Sequence, residues 1–483
     1  MLRLLLASLL LATASSATTA DRIEALLADG DAWHGELAAV YDARDHAPAW
    51  TGAAQAARML ARLADAPADG LRADEVHLPR LRRLARDTAA VAERDLLLTD
   101  AALRYADALL GRRVDPERLY SGHHFLTRAA KARRRTPAAR ELRTALASGS
   151  PARAVAALLD RLTPRHAEYR ALRDELAALH AARLDLAAFA PAPPRTAGAR
   201  GEIPPAPSPA FDADRAVRLA LNLERWRWLP EELGAEHILV NVPSYGLWLR
   251  EGAPGAYRTA LAMDATVGAA APEWQTPVLS DPIRSVSFHP TWTPTVNIQR
   301  REILPEARAD GGQSLHERGF DVWRGRTRLD PRTVDWDRAR AGQYRIVQRG
   351  GPLGALGRVK FVMPNRHFIL LHDTNTPEEF EQDERALSHG CVRVAEPGVL
   401  ADAVLGRANG WAEGRASGLV EGTPRTRGTR LRSSFPVHIV YMTAWPAAGG
   451  DGGPGPTVEL LDDLYGRDAA LAEALGLTLP APG

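Results

Sequence analysis

The sequence predicts an α+β protein, in which a helical N-terminal scaffold domain precedes a mainly β domain that carries an inserted subdomain. Residues 21–186 are rich in Ala, Leu and Arg, and their apolar residues recur at helical spacing. Residues 187–213 contain closely spaced prolines, which hold neither a helix nor a sheet ladder and therefore predict a linker. From residue 214 onward, short apolar runs alternate with turn residues, a pattern typical of strands.

The composition is that of an ordinary folded protein. Hydrophobic residues make up 45% and charged residues 25% of the 483 residues. The net charge of +2 gives the chain no overall attraction to nucleic acid. No nucleic-acid partner is therefore expected.

The N-terminus has the layout of a secretory signal peptide, which we predict over residues 1–20. Arg3 precedes the apolar run from Leu4 to Leu11, and small residues follow up to Ala17. The apolar run is too short to span a bilayer as a stable helix, and no later segment is apolar enough to do so. We therefore expect an exported, periplasmic chain whose mature form has no stable membrane span.

The domain at 214–445 is predicted to open with a helix over 214–228 and to continue in strands. An insertion at 295–343 interrupts the strand pattern and is polar and arginine-rich. A long insertion of this kind is more often a lid over a site than an idle loop, with a solvated insertion as the alternative. Residues 446–483 are predicted to form a C-terminal tail. Strands are predicted over 237–242, 245–249, 259–267, 344–347, 359–363, 368–371 and 435–442, and a further helix over 398–405.

Cys391 is the single cysteine of the chain, and it lies in the run Ser388-His389-Gly390-Cys391-Val392-Arg393. A lone cysteine is most often a small buried apolar residue. Here a glycine precedes it, and glycine lets consecutive backbone N–H groups converge on one point, as an oxyanion hole requires. An unpaired thiol in an exported chain is also easier to explain by chemistry than by packing. We therefore interpret Cys391 as a nucleophile.

His372 follows the apolar run Phe368-Ile369-Leu370-Leu371, which predicts a buried strand that delivers the imidazole at its end. The order of His372, Ser388-His389-Gly390-Cys391 and Arg393 resembles the signature of L,D-transpeptidases with a YkuD-type catalytic domain. The peptidoglycan-binding module usual in the large YcbB-like branch has no room in 187–213, so we expect this chain to lack it. Other runs resemble that branch: Leu223 to Pro230, Val267-Gly268, Thr276-Pro277, Pro290 to Pro294 and Leu356 to Phe361.

The resemblance implies a β-sandwich catalytic domain, a capping subdomain at 295–343 and acyl transfer without a cofactor or a metal. Cys391 would attack a tetrapeptide stem and release D-alanine, and the amine of a neighbouring stem would then form a 3→3 crosslink. The implied partners are peptidoglycan stem peptides and other enzymes of cell-wall synthesis. The adjacent histidines His123-His124 have no carboxylate or cysteine partner in the sequence, so no metal site is expected there.

Each residue of the motif receives a candidate role. His372 is assigned as the general base, with His389 as the alternative. The orienting group in the family is a main-chain carbonyl, here that of Asp373, and the Asp373 carboxylate is the other candidate. The N–H groups of His389, Gly390 and Cys391 are oxyanion-hole candidates. The substrate-binding candidates are Arg393, which holds a substrate carboxylate or pins the loop; Ser388, which supports the loop; and Trp292 and Tyr245, which line the cleft or belong to the core.

The same pair of residues could serve other acceptors. Water would make the enzyme an L,D-carboxypeptidase or a crosslink hydrolase, and a protein lysine would make it a protein–peptidoglycan ligase. A non-catalytic wall-binding scaffold is a further alternative, against which the complete Cys–His pattern speaks. A papain-like protease would need the cysteine before the histidine in the chain, the reverse of the order here.

Overall fold

The computed structural model describes residues 18–29, 33–188, 212–351, 353–446 and 457–479. Most of the predicted signal peptide and the proline-rich stretch at 189–211 lie outside these residues. Within the described ranges, every helix is too short or too polar to cross a bilayer.

The N-terminal domain is helical, as predicted. Its longest buried helix, α5, is enclosed by its neighbours and carries buried polar side chains among the apolar ones. The Asp95 carboxylate accepts hydrogen bonds from Tyr41 Oη and from the backbone N–H groups of Ala49 and Trp50. The helices are α1 Thr19–Ala28, α2 Leu37–Asp42, α3 Ala53–Leu63, α4 Leu78–Leu84, α5 Val91–Leu109, α6 Pro116–Leu119, α7 Arg128–Arg134, α8 Ala138–Leu146, α9 Pro151–Leu162 and α10 Ala167–Ala188.

The second domain is mainly β and forms a curled sheet, which confirms the predicted α+β organisation. The strands are β1 Glu236–Asn241, β2 Gly246–Glu251, β3 Arg258–Gly268, β4 Leu279–Ser280, β5 Ile283–Phe288, β6 Phe320–Arg324, β7 Thr327–Leu329, β8 Arg345–Gln348, β9 Val359–Val362, β10 Leu371–His372, β11 Ala386–Ser388, β12 Val392–Val394, β13 Arg427–Phe435, β14 Val437–Val440, β15 Ala444–Pro446 and β16 Val458–Leu460. The helices are α11 Ala213–Arg227, α12 Val296–Ile298, α13 Leu304–Asp310, α14 Gln313–Glu317, α15 Pro397–Asn409, α16 Arg415–Glu421 and α17 Arg467–Ala474.

The main sheet has the order β13-β5-β9-β10-β12-β3-β2-β1-β14-β4, with β11 also paired to β3. It curls because β3 pairs with β2 along its first part and with β12 further on. The chain that forms β13 beside β5 continues past Pro436 as β14 beside β1, so it also belongs to both halves. The two halves share one apolar core, to which α15 contributes its buried side. This curl brings β10 and β12 next to each other in the middle of the sheet.

The insertion folds as a subdomain with its own sheet, in the order β7-β6-β8, and its own apolar core. Its helical part includes a π-helical turn, Gln299–Ile303, between α12 and α13. The prediction that the main strands resume at 344–347 is wrong in one respect, because β8 pairs with β6 of the insertion and not with the main sheet. The physical reason is the subdomain core, in which Tyr344 and Ile346 of this segment are buried.

The two domains and the C-terminal tail meet on α11. One face of this helix packs with α10 and with the β14–β15 region in a shared apolar cluster. Arg225 at its end forms a buried ion pair with Asp468 of α17, with 2.6 Å between Nη2 and Oδ1. Arg227 donates to Tyr169 Oη of α10 at 2.9 Å. The catalytic half of the chain is therefore held against the scaffold through buried charged side chains as well as apolar ones.

Candidate active site

His372 and Cys391 are brought together by two neighbouring parallel strands. In the register of β10 and β12, Leu371 lies opposite Val392 and His372 lies opposite Arg393. Leu371 and Val392 are fully buried in the core. Side chains alternate along a strand, so His372 and Arg393 point to the opposite face. Cys391 precedes β12 by one residue, which places its thiol on the same face as His372.

The orientation of the His372 ring is set by the main-chain carbonyl of Asp373. His372 Nδ1 lies 2.5 Å from that oxygen. A carbonyl only accepts hydrogen bonds, so Nδ1 carries the proton and Nε2 keeps a free lone pair. The Asp373 carboxylate instead accepts from the backbone N–H groups of Arg358 and Thr374, each at 2.7 Å. Of the two orienting groups predicted at Asp373, the structure uses the carbonyl.

The backbone at Gly357 approaches Asp373 so closely that this position requires glycine. Gly357 has a φ of 57°, and a Cβ added there would lie 2.4 Å from Asp373 Cγ. A side chain at 357 would therefore displace the carboxylate that anchors the end of β10.

The environment of Cys391 and His372 favours the uncharged form of both side chains at neutral pH. Burial, reinforced by the nearby charge of Arg393, lowers the pKa of His372 to about 3. Burial also raises the pKa of the Cys391 thiol, although the backbone N–H of Leu370 and the charge of Arg393 act in the opposite direction. A neutral imidazole on the same face as a neutral thiol suits general-base activation of the thiol at the moment of attack.

The loop before Cys391 is held by two hydroxyl groups. Ser388 Oγ donates to the Cys391 carbonyl at 2.5 Å and accepts from the Gly390 N–H at 3.1 Å. Thr276 Oγ1 donates to the Gly390 carbonyl at 2.9 Å and accepts from the Gly268 N–H at 2.8 Å. The φ of Gly390, 104°, is one that side-chain-bearing residues rarely adopt.

These contacts distinguish the three oxyanion-hole candidates by whether the N–H group already has an acceptor. The Gly390 N–H is already bonded to Ser388. Over the described ranges, no acceptor takes the N–H of His389 or of Cys391. The backbone donors left for a developing oxyanion are therefore those of His389 and Cys391.

Arg393 is anchored to the segment that joins β10 to β11. Its Nη1 contacts both carboxylate oxygens of Glu379, whose Oε1 also accepts from Thr376 Oγ1 at 2.7 Å. This contact favours the interpretation that Arg393 pins the loop. Its positive charge nevertheless remains next to both reacting groups.

His389 contacts the inserted subdomain. Its Nε2 contacts the carboxylate of Glu302, which lies in the π-helical turn. The ring of Trp274 packs edge-on against the His389 ring, with 4.5 Å between the centroids. The alternative in which His389 is the base therefore has less support than His372, because Glu302 occupies Nε2 of His389.

Trp292 and Tyr245 are held by contacts within the protein. The Trp292 ring packs 6.1 Å from that of Phe320 in the core of the subdomain. Tyr245 packs against the core of the main sheet, with the guanidinium of Arg385 5.4 Å from the centre of its ring. These contacts favour the core interpretation for both aromatic residues.

Several residues at the site had no role in the sequence-based prediction. Thr276 lies in a run that supports the family resemblance, but nothing in the run shows that its hydroxyl bridges two glycines. Tyr465 Oη donates to the Gly268 carbonyl at 2.6 Å from the C-terminal tail. Trp274 and Glu302 are ordinary residues of polar segments in the sequence, and only the packing of the insertion brings them to His389.

Of the two adjacent histidines considered as metal ligands, His124 packs among aromatic residues and His123 contacts the backbone carbonyls of Ser121 and Pro272. His124 is buried between Tyr120 and Trp228, at centroid distances of 6.0 and 5.2 Å. Across the ranges described, the structure contains no group of three or more His, Cys, Asp or Glu side chains arranged to hold a metal ion.

Comparison with known proteins agrees with this geometry. Residues 235–439 match the YkuD family, described as the L,D-transpeptidase catalytic domain, and residues 35–176 match the Scaffold domain. A Haemophilus influenzae protein provisionally named an L,D-transpeptidase is 32% identical over 254 residues. The match covers 52% of this chain and 48% of that protein, so the chain spans about half the length of this relative. The chain therefore carries a YkuD-type L,D-transpeptidase catalytic domain, in which Cys391 and His372 lie, after a scaffold domain.

Proposed function

We propose that the protein forms 3→3 crosslinks in peptidoglycan by cysteine acyl transfer from a tetrapeptide stem, with release of D-alanine. The observation that carries the proposal is the pairing of β10 with β12. That pairing puts the thiol of Cys391 on the same face as an imidazole whose free nitrogen is Nε2. The membership of 235–439 in the YkuD family supports the same reaction class.

Acylation begins when Nε2 of His372 takes the proton of the Cys391 thiol. The sulfur attacks the carbonyl carbon between the third and fourth residues of the stem, and the oxygen becomes an oxyanion. The C–N bond then breaks, His372 returns its proton to the leaving nitrogen, and D-alanine departs. The energy of the peptide bond is retained as a thioester, which suits a compartment without ATP.

The backbone N–H groups of His389 and Cys391 are proposed to stabilise the oxyanion. Loss of one such donor typically costs about 3 kcal/mol of transition-state stabilisation. The contacts of Ser388 and Thr276 with the loop support this role, because they hold the backbone in a fixed shape before substrate arrives.

Resolution of the thioester reverses the proton transfers. The neutral amine of a second stem attacks the thioester carbon, and His372 takes a proton from the attacking nitrogen. The C–S bond breaks, and the proton passes from His372 to the sulfur, which restores the thiol and the neutral imidazole. Chemically, the acceptor is a primary amine, commonly the side-chain amine of diaminopimelate in this family.

The proposal is tested by incubating the purified protein with disaccharide-tetrapeptide and analysing the products by mass spectrometry. We expect a dimer whose mass equals two monomers minus one D-alanine, and no product with Cys391→Ala. Wild-type crosslinking by Cys391→Ala would overturn the mechanism. Tripeptide without dimer would instead identify an L,D-carboxypeptidase.

A carbapenem provides an independent test of the nucleophile. Its strained β-lactam carbonyl should acylate Cys391, since the thiol and its base are positioned for acyl transfer. Intact-mass spectrometry should show one adduct per chain for the wild type. The Cys391→Ala variant is the control, and an adduct of equal yield on that variant would contradict the assignment.

The cellular setting of the proposal is the periplasm and the cell wall, where the stem peptides are found. It is supported by the signal-peptide pattern at 1–20. Fusion of residues 1–25 to an alkaline phosphatase that is active only after export should give activity. A fusion that remains inactive would contradict the export part of the proposal.

A further inference from the structure

Glu302 brings a carboxylate from the inserted subdomain to the loop that holds the nucleophile. It contacts Nε2 of His389, two residues before Cys391. It belongs to the π-helical turn Gln299–Ile303, a backbone form that is rare and frequent at functional sites. The neighbouring Arg301 anchors the same turn, because its Nη1 lies 2.5 Å from Glu273 and its guanidinium lies 5.7 Å from the Trp274 ring centre.

The charge of Glu302 is less neutralised than that of three other carboxylates in the subdomain. Glu306, Asp321 and Asp330 are each paired with an arginine. The partner of Glu302 is an imidazole, which carries no permanent charge. Its side chain is also 43% exposed. Glu302 thus presents an accessible carboxylate beside the loop that precedes Cys391.

We propose that Glu302 binds the primary ammonium group of the acceptor and thereby makes the acyl-enzyme react with an amine in preference to water. This inference rests on the proposed function and specifies which group selects its second substrate. A primary amine is mostly protonated at neutral pH, so it arrives as a cation that an accessible carboxylate attracts.

The protonation state of the acceptor gives such a group a role. An ammonium nitrogen has no lone pair and must lose one proton before it attacks the thioester carbon. Glu302 accepts this first proton and releases it to water, to which its carboxylate is open. The second proton leaves the nitrogen during attack and goes to Nε2 of His372, which passes it to the departing sulfur. Over a complete crosslink no net proton is released, because the D-alanine that leaves as a neutral amine takes up one proton from water.

Water needs neither the binding of a cation nor the removal of a first proton. It carries no charge, and it gives up one proton to His372 as it attacks. Removal of the Glu302 charge should therefore affect crosslinking and spare hydrolysis. A purely mechanical role of Glu302 in fastening the subdomain to His389 would instead affect both reactions, since both pass through the same acyl-enzyme.

The test compares the full-length wild type with Glu302→Gln, Glu302→Asp and Glu306→Gln. Glu306 is the matched control, because it lies one turn further along the subdomain and is engaged by Arg318. Disaccharide-tetrapeptide serves as donor and acceptor, and the rate of D-alanine release and the ratio of dimer to tripeptide are measured. A lysine-containing peptide, offered separately, shows whether a protein amine is accepted as well.

We expect Glu302→Gln to lower the ratio of dimer to tripeptide about tenfold, as loss of one charged hydrogen bond predicts, with D-alanine release within about twofold of wild type. Glu302→Asp should recover part of the ratio, and Glu306→Gln should leave it unchanged. Hydroxylamine, which is mostly uncharged at neutral pH, should resolve the acyl-enzyme equally in wild type and Glu302→Gln.

An unchanged dimer-to-tripeptide ratio in Glu302→Gln would overturn the proposal, as would an equal loss of resolution by hydroxylamine and by the stem amine. Failure of the proposed function is distinguishable from both outcomes in the wild type alone, which would then either release no D-alanine or release it without forming any dimer.

Discussion

At the scale of single residues, the main finding is that burial favours the neutral forms of both the Cys391 thiol and the His372 imidazole. The sequence predicts both residues because acyl transfer by sulfur requires a thiol and a base, and few other side chains can replace them. It leaves the role of Asp373 open between carbonyl and carboxylate, and only the geometry at Nδ1 decides between them. The partner of Arg393, Glu379, depends on the path of a loop and could not be predicted from spacing.

The pH dependence of thiol reactivity follows from the two pKa shifts. The thiolate is the reactive form, and the pKa of Cys391 is raised. His372 stays neutral above about pH 3 and adds no inflection near neutrality. The rate of alkylation by iodoacetamide should therefore rise about tenfold per pH unit from pH 6 to 8.

The rate of alkylation is measured by quenching the reaction at successive times and analysing the protein by intact-mass spectrometry. Cys391→Ala provides the blank, since the chain has no other cysteine. A rate that is already constant below pH 7 would indicate a resting thiolate–imidazolium pair and would contradict the neutral site.

Substitution by alanine should lower the free energy of unfolding by different amounts at different glycines near the site. A Cβ at Gly268 would lie 1.9 Å from the Trp274 carbonyl oxygen, so Gly268→Ala must move backbone and should cost about 3 kcal/mol of unfolding free energy. At Gly390 the nearest atom is 3.4 Å away, and the cost comes from its φ of 104°, about 1–2 kcal/mol.

Urea unfolding measures both changes, with Gly428→Ala as the control, because a Cβ there meets no atom within 4 Å. Gly390→Ala should nevertheless lose more activity per kcal/mol, since it displaces the N–H groups beside the thiol. Equal stability of all three variants would show that the backbone at Gly268 yields more easily than its contacts indicate.

At the scale of elements, the sequence predicts the presence of periodic segments well and the residues at which they begin and end poorly. The run 368–371 predicts a buried strand, but β10 covers only Leu371–His372, and Phe368 has a φ of 58° and is 74% exposed. The reason is Asn365, whose side-chain oxygen accepts from the N–H groups of His367 and Ile369. A local bond of this kind competes with the sheet ladder and delays its start.

The ion pair between α11 and α17 should contribute to the stability of the fold. Arg225 and Asp468 are both buried, and Asp468 Oδ1 also accepts from Thr443 Oγ1 at 3.1 Å. Asp468→Asn leaves a buried guanidinium without its counter-charge and should lower the unfolding free energy by about 3–5 kcal/mol.

The control for this measurement is Glu141→Gln, which breaks a surface pair with Arg161 and should cost less than about 1 kcal/mol. Chemical denaturation of both variants provides the comparison. A loss at Asp468 no larger than that at Glu141 would mean that water reaches Arg225 in the folded protein.

At the scale of the whole molecule, the order of the two domains could be predicted from composition, but their interface could not. Arg133, in a run of three arginines, donates to the carbonyls of Leu109, Leu162 and Arg227. It therefore closes the ends of two scaffold helices against the first helix of the catalytic part. Contacts of this kind join residues distant in sequence and leave no local pattern.

The strand that passes from one half of the sheet to the other also determines when the domain can be completed. β1 is among the first strands of its domain to leave the ribosome, yet its partner β14 is among the last. Until residues 437–440 emerge, the backbone groups on that side of β1 have no partner and form an open edge, a hazard for aggregation. A prematurely terminated chain would thus hold Cys391 and His372 and still lack the strand that closes the sheet. The late arrival of β14 makes the integrity of the C-terminal region a condition for finishing the fold at all.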